Sequence, residues 1–316
     1  MRSKIQAARY RADACARIRS FFAARSVLEV DTPLLSRGAS HDFHLDLFLV
    51  PLSSEPFPRF LQTSPEPHMK RLLARGYPDI FQIGKAFRLE ESGPRHNPEF
   101  TLIEWYRHGF SLRRMMEEAV ELCVLIAGAR TAAFVSYEKA FTQATGLSPF
   151  SANREELASH PAVAKQMQQG LRPEDFREVS DLLNFLMSEV VEPGFDPEIF
   201  TVVHGFPRVL SSQALPDPEN PGASQRFEVF GGGMELGNGY EELRDSGEYR
   251  LRFEAENRKR QASGKPVPPL DDRWFKDIGD ELPACSGVAL GFDRLLQLGM
   301  RVASLDALLE FPWKES

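Results

Sequence analysis

The chain has 316 residues, 42% of them hydrophobic and 26% charged, with a formal net charge of −7, which is ordinary for a globular protein of one large or two modest domains. No apolar run reaches the length of about 18 residues that a transmembrane helix needs, and the basic N-terminus MRSKIQAARYRADACARIRS lacks the apolar stretch of a secretory signal. Cys15, Cys123 and Cys285 are scattered with no C-x-x-C spacing, which fits inert thiols in a reducing cytoplasm and argues against a zinc site.

Residues 3–25 read as a helix in which Cys15, Ile18 and Phe22 keep helical spacing and Arg11, Arg17 and Arg19 take solvated positions. Residues 27–30 form a short strand that Asp31-Thr32-Pro33 ends. Residues 36–58 read as strand and loop, with His41 and His44 as loop histidines to which no role is given. At Ser64-Pro65-Glu66 the serine is a good N-cap, the proline suits a first turn, and the glutamate suits the positive helix end. That helix runs to about Ala74, and Gly76 stops it.

Two β-rich runs follow, residues 80–90 and 100–106, joined by a loop that Ser92, Gly93, Pro94, Asn97 and Pro98 punctuate. Alternation along a strand groups Arg88 with Glu90 on the first run, and Phe100, Leu102, Glu104 and Tyr106 on the second. Such a surface suits a nucleotide: Arg88 can fork onto a phosphate, Phe100 can stack under a purine, and Glu90 can accept from an exocyclic amine. An ordinary amphipathic hairpin with surface ion pairs has the same spacing.

Residues 112–127 form a helix with an apolar side of Met115, Met116, Ala119, Leu122, Cys123 and Ile126, and residues 136–146 and 174–191 also look helical. The run 216–222, PDPENPG, is a loop that is either a gate or a connector. Residues 227–240 turn a hairpin at Gly231-Gly232-Gly233, after which Glu235, Gly237 and Gly239 share a face. Glu242 follows Glu235 by seven residues, and two carboxylates beside glycines suit a hard cation that bridges phosphates; paired surface glutamates are the alternative. Residues 249–263 read as a charged, solvent-facing helix. In the last strand, residues 286–291, Gly287, Ala289 and Gly291 clear one face while Val288 and Leu290 pack on the other.

Four of these segments carry a resemblance. VLEVDTPLL, FRLEESGPRHNPEFTLIEWY and SGVALGFDRLL resemble motifs 1, 2 and 3 of the class II aminoacyl-tRNA synthetases, and MELGNGYEEL resembles the magnesium-holding segment of their lysyl branch. The resemblance covers nearly the whole chain. It implies an α+β fold, a mainly antiparallel sheet flanked by helices, as one catalytic domain over residues 1–316 with residues 130–200 as a helical insertion. It implies a homodimer built on the first helix and strand.

For the site, the resemblance implies ATP and Mg2+, with Arg88 and Arg294 as catalytic cations. ATP would be bound by Arg88, Leu89, Glu90, Asn97, Phe100, Glu235, Leu236, Gly291 and Arg294. Ser64, Pro65, Glu66, Tyr106, Glu242 and Ala289 would line the amino-acid pocket, and Glu235 and Glu242 would hold the metal. Capping alone accounts equally well for Ser64-Pro65-Glu66. The reaction implied is attack of an amino-acid carboxylate on the α-phosphorus of ATP, giving an aminoacyl-adenylate and pyrophosphate.

The chain starts almost at the helix before motif 1, which leaves no room for the anticodon-binding domain of lysyl-tRNA synthetases. That pattern resembles the truncated lysyl-type paralogues that ligate (R)-β-lysine to a lysine of elongation factor P, and Ala289 stands where lysyl-tRNA synthetases usually have glycine. The acidic balance argues weakly against tRNA as partner. The rival readings are a compact synthetase acting on tRNA and a catalytically idle module that binds ATP or an amino acid.

Overall fold

The computed structural model describes residues 4–54, 57–170, 172, 176–279 and 281–316. The chain divides into two units, Met1–Ala129 with Glu242–Ser316, and Arg130–Glu241. In chain order the first unit holds α1 (Lys4–Ala23), β1 (Leu28–Glu29), β2 (Leu35–Ser36), β3 (Leu49–Val50), β4 (Arg59–Leu61), α2 (Glu66–Ala74), β5 (Ile80–Phe87), β6 (Glu99–His108) and α3 (Leu112–Ala127). The second unit holds β7 (Ala132–Ser136), α4 (Tyr137–Thr145), α5 (Arg154–Ala158), α6 (Pro161–Gln168), α7 (Val179–Leu186), β8 (Phe200–Pro207), β9 (Ala223–Gly231) and β10 (Met234–Glu241). The chain then returns to the first unit with α8 (Ser246–Ala262), α9 (Asp272–Ile278), β11 (Cys285–Gly291) and α10 (Phe292–Met300).

In the first unit the sheet order is β1-β5-β6-β11, with β1 parallel to β5 and the other pairs antiparallel; β2, β4 and β3 form a small antiparallel sheet. The face of α1 that buries Ala7, Ala14, Ile18 and Phe22 packs here, and Phe22 stacks on Phe81 with ring centroids 4.3 Å apart and tilts against Trp105. Two of the α1 arginines are not simply solvated as their spacing suggests. Arg11 bridges to the buried Asp293, and Arg17 donates to the Leu125 carbonyl, because a long side chain reaches across a packed seam while its stem covers apolar surface. The apolar spacing of α3 predicts its bounds; Ser111 caps it by accepting from the Arg114 N–H.

In the second unit β10, β9 and β8 are antiparallel neighbours, and β7 runs parallel to β8. The stretch expected as a helical insertion carries α4 to α7 together with β7. Tyr137, Phe141, Leu157, Leu182, Leu183 and Leu186 of these helices pack with Val203, Phe206 and Phe230 of the sheet in one core. The helix expected from residue 174 begins at Val179, and Glu174 lies outside the described residues. The 216–222 loop is built as turns: Asp217 accepts from the N–H groups of Glu219 and Asn220, and Ala223 and Asn220 close the backbone around it.

Candidate active site

The first unit's sheet sorts its residues into rows. Across β5, β6 and β11, Gln82 faces Glu104 and Glu104 faces Ala289; the next row is Ile80, Tyr106 and Gly287, and the row on the other side is Gly84, Leu102 and Gly291. Paired residues of antiparallel strands share a face, so one face of the sheet carries a carboxylate, an amide and a phenol among glycines and an alanine. Phe81, Trp105 and Val288 form a buried row on the opposite face.

At the centre of the site lies a buried ionic cluster. Lys70, one helical turn into α2, is fully buried, with Nζ 2.6 Å from Glu66 Oε1 and 2.7 Å from Glu242 Oε2. It also donates to the Tyr249 hydroxyl at 3.1 Å. Beside it, Glu104 accepts from the Ser64 hydroxyl at 2.7 Å and from the Tyr106 hydroxyl at 2.8 Å. Burial, reinforced by the Glu66 charge, pushes the Glu104 carboxyl up to about 8 against the pull of its two hydroxyl donors and Lys70. Burial also raises Glu242 to about 7, opposed by the Lys70 ammonium. Burial by itself lowers the pKa of Lys70, but Glu242 and Glu66 outweigh it and hold the ammonium well above its ordinary value. The Tyr106 phenol is held well above its usual range by burial and then by Glu104, so it donates and stays neutral.

Glu66, Glu104 and Glu242 thus share one buried lysine. An excess of buried negative charge is costly and is relieved either by a proton or by a cationic guest.

Several expected site residues take other geometry than alternation implies. β5 ends at Phe87, and Glu90 has φ 65° and is exposed, so it does not share a strand face with Arg88; the chain turns through the left-handed region there. Arg88 instead lies over the Phe100 ring, 5.0 Å from its centroid, and pairs with Glu91 at 3.6 Å. Leu89 bridges to Asp46 through its N–H at 3.0 Å. Asn97 holds its loop: it donates to the Glu99 carbonyl at 2.6 Å and accepts from the Trp313 N–H at 3.1 Å. Arg294 stands in the first turn of α10, whose N-cap is Gly291, and meets the Arg95 carbonyl at 3.2 Å and the His96 ring at 2.6 Å. Arg88, Phe100, Asn97 and Arg294 therefore belong to the first unit with the ionic cluster.

In the second unit Glu235 is half-buried and Leu236 buried on β10, where a register shift between Glu235 and Gly237 breaks the alternation expected of Glu235, Gly237 and Gly239. The N-cap of α2 is Pro65, not Ser64; the Ser64 hydroxyl accepts from the Glu66 N–H and spends its own proton on Glu104. The space that Gly287 clears is taken by the protein itself: a Cβ there would lie 2.3 Å from Tyr106 Cε1 and 2.6 Å from Glu242 Oε1. The α8 helix is not wholly solvent-facing, since Tyr249 and Arg260 are buried, and His41 is buried against Phe253 with Asn257 at 3.0 Å.

Lys70, Gln82 and Tyr249 are site residues that sequence reasoning did not single out, and Glu104 was placed on the site face by strand period but given no role. Glu66 and Lys70 carry a signal, the i,i+4 spacing of an ion pair on a helix. Tyr249 carries none.

The family described as tRNA synthetases class II (D, K and N) matches residues 2–315. A protein of Haemophilus influenzae named elongation factor P–(R)-β-lysine ligase is 41% identical over 305 residues, 95% of this chain and 93% of the relative. Proteins of the same name from Proteus mirabilis and Haemophilus ducreyi are each 40% identical, covering 93% and 98% of this chain and 91% and 94% of their own.

Proposed function

The chain belongs to the class II tRNA synthetase family of the D, K and N type, and we propose that it activates (R)-β-lysine with ATP as an adenylate and ligates it to a lysine of elongation factor P. The relatives that bear that activity in their names match nearly end to end. The observation that carries the substrate class is the ionic cluster: two buried carboxylates, Glu104 and Glu242, and the half-buried Glu66 around one lysine make a pocket that gains from a guest bearing ammonium groups.

In this reading Glu66 and Glu104 receive the ammonium groups of the amino acid, while Ser64 and Tyr106 hold the Glu104 carboxylate in place. Arg88 offsets negative charge that develops on the α-phosphate, and Phe100 and Asn97 lie toward the adenosine end with Arg294. The chemistry needs positioning and charge, not a covalent nucleophile. Magnesium, a hard cation that takes oxygen ligands, would be held in the first unit by the Glu242 carboxylate, whose Oε2 faces Lys70. Bound there, it would supply positive charge that favours departure of pyrophosphate.

The protein would act as a homodimer, a state supported by Leu28, Leu34 and Leu35, large apolar side chains that stand exposed in the segment following α1. Its three free cysteines suit the cytoplasm, and no described helix is long and apolar enough to cross a membrane. Mass spectrometry of elongation factor P after incubation with the protein, ATP, magnesium and β-lysine tests the reading. One lysyl-sized addition on a lysine is expected; charging of tRNA with no protein adduct would overturn it.

A further inference from the structure

One polar group on the site face is not used by the reading above. Gln82 is 3% exposed, and its Oε1 accepts no hydrogen bond among the described residues. Buried polar atoms in native proteins are nearly all paired, so an unpaired one asks for a partner. Its position says which. Gln82 is the register partner of Glu104, which is the register partner of Ala289, so the amide stands in the same row and on the same face as the carboxyl at the pocket. Gly84, two residues along β5 on that face, has no side chain to push the amide away: a Cβ there would meet Gln82 Nε2 at 2.6 Å.

We infer that Gln82 is a substrate-contacting residue whose side-chain carbonyl accepts a hydrogen bond from an ammonium group of the bound amino acid. The inference rests on the amino-acid pocket proposed above and deepens it. An ammonium carries three N–H donors. Glu104 supplies a charged acceptor whose two oxygens already accept from Ser64 and Tyr106. A second acceptor beside it completes the ammonium's bonding. An amide does so without adding a charge to a cluster in which Glu66, Glu104 and Glu242 already share one lysine. A carboxylate in its place would raise the cost of the empty pocket.

Two near-isosteric variants separate the acceptor from the volume. Calorimetric titration of the full chain with lysine and with (R)-β-lysine is expected to show binding about tenfold weaker in Gln82→Met, the loss typical of a hydrogen bond to a charged group. ATP affinity is expected to stay within about twofold, and the denaturation midpoint of the free variant not to fall, because an unpaired buried acceptor has been removed. Gln82→Glu, which keeps an acceptor, is expected to recover most of the lost amino-acid affinity. Gln82→Met that binds both amino acids as tightly as the wild type, or loses ATP affinity equally, returns Gln82 to sheet packing and overturns the inference alone. A wild-type protein that binds neither diamino acid overturns the substrate reading and this inference with it.

Discussion

The central strands β6 and β8 are both largely buried, yet they bury different things. On β8 the side chains of Phe200, Val202, Val203 and Phe206 are apolar, and Tyr137, Phe141 and the leucines of α7 belong to the same core as Val203 and Phe206. On β6, Glu104 and Arg107 are buried among Leu102, Ile103, Trp105 and Tyr106. Each fully buried large apolar side chain on β8 contributes about 1.5–3 kcal/mol. The buried carboxyl on β6 costs free energy, and the Phe22–Phe81–Trp105 packing on the other side of its sheet offsets that cost. The contrast sets an expectation: change in the β8 region should move stability and leave affinity alone, whereas change around Glu104 and Lys70 should move substrate binding.

The largest test of that contrast is Lys70→Met. It leaves Glu66 and Glu242 with no cation between them, and breaking a buried ion pair from one side costs about 3–5 kcal/mol. Denaturant titration is expected to show a loss of that size together with loss of amino-acid binding. An unchanged midpoint would mean that the cluster is solvated. A matched pair of glycines is the next test. Gly287→Ala drives a methyl into Tyr106 and Glu242, and Gly231→Ala drives one into Phe200, 2.9 Å away, and Leu236, 3.1 Å away. Overpacking of this kind costs about 1–3 kcal/mol at either place. Only Gly287→Ala is expected to raise the KM for the amino acid in pyrophosphate exchange, and equal KM changes in both would erase the distinction between the regions. The smallest expected effect is that of Ala289→Gly, on the Glu104 row. If the Ala289 methyl lines the proposed amino-acid pocket, removing it is expected to shift kcat/KM for α-lysine relative to β-lysine by about tenfold toward the α-form. An unmoved ratio would make Ala289 a packing residue.

Much of this was legible in the sequence wherever one local rule governs. The apolar spacing of Met115, Met116, Ala119, Leu122, Cys123 and Ile126 predicts α3 over Leu112–Ala127, because caps and core pull the same way. The face shared by Phe100, Leu102, Glu104 and Tyr106 follows from strand period alone. Legibility ends where the backbone leaves its regular period, as at Glu90 in the left-handed region and at the register shift after Glu235. It ends again where partners are far apart in the chain. Nothing near Lys70 announces Glu242 or Tyr249, and nothing near Ser64 announces that its hydroxyl serves Glu104. The pocket residues were thus partly visible one by one, while their assembly into an ionic cluster is a tertiary fact.

The central claim is that the pocket around Glu104 exchanges its proton for a substrate ammonium. Glu104 has a folded pKa of about 8, above the usual carboxyl value of about 4.3. Its contribution to the stability of the free protein is therefore fully present below that usual value and lost as pH rises through 8. A bound ammonium requires the ionised form, so binding near neutral pH must expel the proton. Calorimetric titration with β-lysine at pH 7, repeated in buffers of different ionisation enthalpy, reads that proton directly. Release of about one proton per site, vanishing as pH rises above 8, is the expected result. Binding with no proton release at pH 7 would contradict the account.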